Sequence, residues 1–174
     1  MICAIAASSE RTYLLRLTAH HAEHRWLDTT RPAESWSSWE SLPFAGHVVD
    51  IAAVSGWDQQ IEIFVLDSHG QVWNRWWWPE TGWTPRSEFN PLGTPFDDSE
   101  SSSIAALNAG GGHFVVFVEA ADGRVAVLPH ISDGNRPAWR RHPEPQALND
   151  GWWPAFPSSS HAVYRWRSSP PPNM

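Results

Sequence analysis

Between residues 48 and 93 the chain is a series of short apolar runs separated by turn-forming residues. The runs fall at 51–54, 61–67, 72–78 and 83–88. The breaks between them are Ser55-Gly56-Trp57-Asp58, Ser68-His69-Gly70 and Pro79-Glu80-Thr81-Gly82. Glycine, proline and short polar side chains favour tight turns, and apolar runs of this length favour strands, so the stretch predicts four antiparallel strands joined by hairpins. The plan returns downstream as 104–107, a glycine-rich turn at 108–112, 114–119, a hairpin turn at Asp122-Gly123, and 125–128, with Trp139 opening a fourth strand. Fifteen prolines and no sustained 3.6-residue apolar period leave almost no room for helix.

The triplet Ile-Ala-Ala stands at Ile5-Ala6-Ala7, Ile51-Ala52-Ala53 and Ile104-Ala105-Ala106, roughly every fifty residues. A second alignment sets Leu14-Leu15 and Arg25-Trp26 against Phe64-Val65 and Arg75-Trp76, and Phe64-Val65 returns at Phe117-Val118. The second strand is apolar on both faces: Ile61, Ile63 and Val65 alternate with Phe64 and Leu66, and 114–118 is unbroken. Such a strand needs a sheet packed against each face, which is the position of a blade between its neighbours in a β-propeller. The predicted fold is therefore all-β and propeller-like, with consecutive four-stranded antiparallel blades near 2–44, 48–93 and 103–148 and a partial unit at 152–167. One domain is expected over 1–167, with a proline-rich tail at 168–174 that frays.

The first unit lacks the turn glycine, since Thr18-Ala19-His20 stands where Ser68-His69-Gly70 stands in the second. Trp36-Ser37-Ser38-Trp39 is expected in its fourth-strand position, and 97–103 reads as an acidic, serine-rich connector. About three and a half blades form an incomplete ring with an exposed edge near 163–166. Homo-oligomerisation is the expected remedy.

Composition excludes several function classes. Twelve Lys and Arg against 19 Asp and Glu give a formal charge of −7, which repels nucleic acid. A single cysteine, Cys3, cannot form an internal disulfide. No segment reads as a signal peptide or a membrane span, which points to the cytoplasm or to a non-classical export route.

The thirteen tryptophans carry the candidate chemistry. The stretch from Ile61 through Asp67-Ser68-His69-Gly70 to Trp73-Asn74-Arg75-Trp76-Trp77 and Gly82-Trp83, together with Trp36-Ser37-Ser38-Trp39-Glu40-Ser41-Leu42, resembles the repeat of the bacterial fucose-binding β-propeller lectins. The likeness covers most of residues 2–150. It is weakest in the third unit, where Val127-Leu128 replace the tandem Trp. Complete members of that family have seven blades, so the resemblance implies about half a ring, sugar binding in clefts between blades, and fucosylated or related glycans as partners.

A sugar offers an apolar C–H face and polar hydroxyls, so its site needs a flat ring with fixed donors and acceptors at the rim. Candidate ligand-binding residues are Trp26, Trp76 and Trp77 at third-strand ends, Trp83 and Trp139 in fourth strands, Trp57 in a turn, and Arg25, Asn74 and Arg75 as polar partners. Inter-blade packing is the competing role for each Trp, above all for Trp36 and Trp39. His20, His21 and His24 with Glu23 and Asp28 suggest a metal set, but His20 and His24 lie on the order of 13 Å apart along a strand, so no metal ligand is assigned. No catalytic motif and no cofactor are read, and the protein is not expected to be an enzyme. A hydrolase would need acids such as Asp58, Glu62 and Asp67 to converge, and a non-catalytic protein-interaction propeller is the other alternative.

Overall fold

The structure, a computed structural model, describes residues 2–6, 11–18, 21–31, 36–56, 60–84, 88–96, 101–110, 113–131 and 140–142. These form strands and turns without helix, so none is long and apolar enough to cross a membrane. Strands β1 (Ile2–Ala6), β2 (Arg11–Leu17), β3 (Ala22–Asp28) and β4 (Glu40–Leu42) make the first sheet. The second contains β5 (Val48–Ser55), β6 (Ile61–Asp67), β7 (Val72–Trp78) and β8 (Gly82–Thr84), with β9 (Asn90–Gly93) also paired to β7. The third contains β10 (Ser101–Gly110), β11 (His113–Ala120), β12 (Val125–Ile131) and β13 (Arg140–His142). Each sheet is an antiparallel meander in chain order, as predicted, and together they form an open, propeller-like all-β fold. The expected partial unit at 152–167, the tail at 168–174 and the edge near 163–166 lie outside the described residues.

Period-two alternation sorts the core residues into two interfaces, and leaves the alternate residues of the first and third sheets on outer faces. Between the first and second sheets lie Ile5, Tyr13, Leu15, Ala22 and Leu42, facing Ile51, Ala53, Ile61, Ile63 and Val65. Between the second and third lie Ala52, Val54, Phe64, Leu66 and Val72, facing Ile104, Phe114, Val116, Val118, Ala126 and Leu128. All seven residues of β6 are buried, which follows from its having a sheet on each side.

The Ile-Ala-Ala anchors do not share a facing. Ile51 and Ile104 turn back toward the preceding sheet, whereas Ile5 turns forward onto the second. Likewise Leu15 faces forward where its aligned partner Val65 faces back. A slip of one residue exchanges the faces of a strand, so the first unit is aligned one position out of phase.

Other boundaries move too. Trp36–Trp39 is not strand in the structure; the fourth strand is Glu40–Leu42, against Ala22–His24. Ser37 still extends the ladder, because its N–H donates to the Trp26 carbonyl (2.9 Å) and its hydroxyl accepts from the Trp26 N–H (3.0 Å). In the second sheet only the start of the predicted run 83–88 is strand, as β8 against the end of β7, residues 85–87 lie outside the described residues, and β9, beyond the run, pairs with the start of β7. The connector ends earlier than expected, since Ser101–Ser103 already belong to β10, and β10 extends through Asn108 to Gly110.

Two polar side chains fasten β5 to β10. Asp50, 1% exposed, accepts from the N–H of Ile51 (2.9 Å) and from the N–H of Ile104 in the next sheet (3.0 Å). Asn108 donates to the carbonyls of Ser55 (2.7 Å) and Gly56 (3.3 Å), and accepts from Gly110 N–H (2.7 Å). Gly56 must stay bare: a Cβ there would stand 2.4 Å from the Phe114 ring.

The hairpin turns follow local chemistry. Gly70 has φ of 74° and Gly123 of 88°, the left-handed region glycine adopts without strain. Asp67 closes the β6–β7 turn, its Oδ1 accepting from His69 N–H (2.8 Å) and Gln71 N–H (3.0 Å) and its Oδ2 from the Trp73 indole (2.8 Å). Where the first sheet lacks the glycine, Thr18 closes the turn on His21 instead, through N–H and hydroxyl together.

Candidate functional site

The candidate residues divide among three surfaces, because neighbours along a strand point to opposite faces. Trp26, Arg75, Trp77 and Trp83 converge between the first and second sheets. Asn74 and Trp76 lie on the other face of β7, toward the third sheet, and Arg25 lies on the far face of the first sheet. Trp57 and Trp139 lie outside the described residues.

In the first cleft the rings are engaged by the protein's own cations and aromatics. The Arg11 guanidinium lies 4.4 Å from the Trp26 ring centre and 5.6 Å from that of Trp77. Tyr13 packs on Trp77 at 5.7 Å, and His24 meets Trp83 edge-on at 5.1 Å. Arg75, 3% exposed, lies 5.5 Å from Trp83 and 5.7 Å from Phe89. Desolvated cation–ring contacts contribute up to about 2 kcal/mol each, so this stack is a reason for the two sheets to stay together. Arg11 and Tyr13 were not singled out in the sequence; the signal was the alternation Arg11, Tyr13, Leu15, Leu17, which places them on one face.

His24 is the titratable centre of that cleft. It is 5% exposed, its Nδ1 is buried with no hydrogen-bond partner, and its Nε2 lies 3.7 Å from Glu40. Burial pushes its pKa below the ordinary 6.5; Glu40 opposes the shift and Arg75 adds to it. Burial also raises the Tyr13 hydroxyl, against the effect of Arg11. With the folded pKa of His24 depressed, its contribution to stability is complete above about pH 6.5 and is lost as pH falls through that value toward the folded pKa. The urea midpoint should therefore drop between about pH 7.5 and about pH 5.5 in the natural protein and much less in His24→Gln. Equal drops would assign the acid sensitivity to other groups.

Trp76 is in a different situation. Across the strands on its own face stand Glu62 on β6 and Thr84 on β8, with Asn74 two positions along β7. Glu62 and Asn74 are 1% and 2% exposed, and the Asn74 amide donates to Glu62 Oε1 at 2.6 Å. Trp76 itself is half-buried, and among the described residues no ring or cation stacks on it. Comparison with protein-family models and with curated proteins finds no match to this chain. What the site does must be argued from its own geometry.

The acids considered for a hydrolase do not gather. Glu62 and Asp67 occupy opposite faces of β6, Asp67 is committed to its turn, and Asp58 lies outside the described residues. His21 and Glu23 pair at 3.2 Å, while His24 points into the cleft. Among the described residues no three His, Cys, Asp or Glu side chains come together in a way that could hold a metal ion.

Proposed function

We propose that the protein is a non-catalytic carbohydrate-binding module, with Trp76 as the stacking platform in the cleft between the second and third sheets. The observation that carries this reading is a half-buried indole, unstacked among the described residues, beside a buried carboxylate–amide pair. The ring suits the C–H face of a pyranose. Glu62, Asn74 and Thr84 suit its hydroxyls. The likeness of Asp67 to Trp83 to the fucose-binding lectin repeat makes fucosylated glycans the first ligands to try.

The test is a glycan array followed by titration of the best ligand. Trp76→Ala should weaken binding by roughly tenfold or more, about 1.4 kcal/mol, with little change in the unfolding midpoint. Trp26→Ala should do the reverse, lowering stability through loss of the Arg11 stack while glycan affinity holds. Binding lost in Trp26→Ala and kept in Trp76→Ala would move the site to the first cleft.

A second reading, a protein-interaction propeller, draws on the far face of the third sheet, where Val115, Phe117, Val125 and Val127 are only half-buried. A partner captured through that face would not be displaced by free sugar. Association into dimers through the outer faces belongs with this reading, and light scattering measures it.

A further inference from the structure

The far face of the first sheet carries a cation that no carboxylate among the described residues neutralises. Alternation places Leu14, Arg16, Glu23 and Arg25 there, away from the second sheet. Arg16 is ion-paired to Glu23 and lies 4.0 Å from the Trp39 ring centre; Glu23 also meets His21 at 3.2 Å. Arg25 lies 4.9 Å from the Trp36 ring centre and 4.7 Å from that of Trp39. Among the described residues no carboxylate reaches it, and its Nε is buried with no hydrogen-bond partner.

Other arginines do meet acids, as Arg31 meets Asp28 and Arg124 meets Asp122, in a chain whose formal charge is −7. Arg25 is therefore oriented by two rings and neutralised by none of the described carboxylates. A half-buried cation left in this state is suited to an external anion, because an arginine fork takes a carboxylate or sulfate through paired, charge-assisted hydrogen bonds. Trp36 and Trp39 are half-buried as well and present apolar ring surface beside the charge. That pairing of charge with flat apolar surface matches an acidic sugar better than a bare inorganic ion.

We infer that this face binds a saccharide carrying an anionic group, carboxylate or sulfate, through Arg25 flanked by Trp36 and Trp39. The inference rests on the carbohydrate-binding reading and adds a second subsite of different chemistry, separate from the Trp76 cleft.

The experiment titrates the full chain with tri-galacturonate, its methyl ester, a sulfated galactotriose and a Glu-rich peptide. At least one of the two anionic saccharides should bind, less tightly as salt is raised, and which one does names the group. The methyl ester should not bind. Arg25→Gln should weaken binding by about tenfold, Arg25→Lys by less because the charge remains without the fork, and Trp76→Ala should leave it unchanged. Equal binding of the methyl ester, unchanged affinity in Arg25→Gln, or loss in Trp76→Ala would each overturn the assignment. So would equally tight binding of the peptide, which would make the face a docking surface for acidic protein. Neutral glycans that bind and depend on Trp76, with no response to either anionic saccharide, would remove this inference and leave the proposed function standing.

Discussion

Asp67→Ala should lower the stability of the protein by about 3 kcal/mol or more, because three donors lose a single charged acceptor at once. The carboxylate is 5% exposed and receives the N–H groups of His69 and Gln71 and the indole N–H of Trp73. His69 is exposed and its N–H can turn to water, but Gln71 and Trp73 are half-buried, and a donor left unmet there costs more than the bond itself contributes net. Asp67→Asn separates the parts. Its amide oxygen can still serve the turn, but its NH2 would confront the indole N–H, so an intermediate loss is expected. Chemical denaturation measures both, and hydrogen exchange should show the Gln71 amide opening early. A loss below about 1 kcal/mol in Asp67→Ala would mean that the turn is held by Gly70 and the strand ladder alone.

Asp50→Ala should cost a similar amount, about 3 kcal/mol, at a different place. Its two oxygens hold the N–H of Ile51 in its own strand and that of Ile104 in the next sheet. Removing them should loosen the packing of Phe64 and Leu66 on Val116 and Val118, the apolar surface that joins the second and third sheets. Exchange protection at Ile104 should fall while that at Gln71 stays, the converse of the Asp67→Ala result. If both variants lost protection at both amides, the second and third sheets would be one cooperative unit and neither carboxylate would act locally.

The alternation of apolar runs with glycine and proline turns was enough to read three antiparallel meanders, because hairpin chemistry is local. The burial of β6 on both faces was legible because Ile61, Ile63 and Val65 alternate with Phe64 and Leu66, leaving it no polar face. The phase of the first unit was not. Leu14-Leu15 and Phe64-Val65 look interchangeable as letters, yet Tyr13 and Leu15 face the second sheet while Phe64 faces the third, and only cross-strand register settles which of two adjacent apolar residues turns which way.

The same limit divided the candidate site. Trp76 and Trp77 are adjacent in sequence and face opposite sides of the second sheet, as Arg25 and Trp26 face opposite sides of the first. The stacking of Arg11 on Trp26, or of Arg25 on Trp36, depends on segments that the turns bring together, and no spacing along the chain signals it.

The joint between the second and third sheets has a consequence for how such a molecule tolerates change. Asp50 and Asn108 each grip the neighbouring strand by its main chain, at the amide of Ile104 and the carbonyls of Ser55 and Gly56. A peptide group is the same whatever residue bears it, so the grip demands a particular side chain only on the gripping strand. The Asp50 grip leaves position 104 to be chosen by packing. When sheets of this kind are duplicated and drift apart, or are shuffled in the laboratory, the hinge between them survives if the two gripping residues travel with their strands. Substitutions on the gripped side are then limited by packing, which still keeps Ile104 apolar in the core and Gly56 bare beside Phe114.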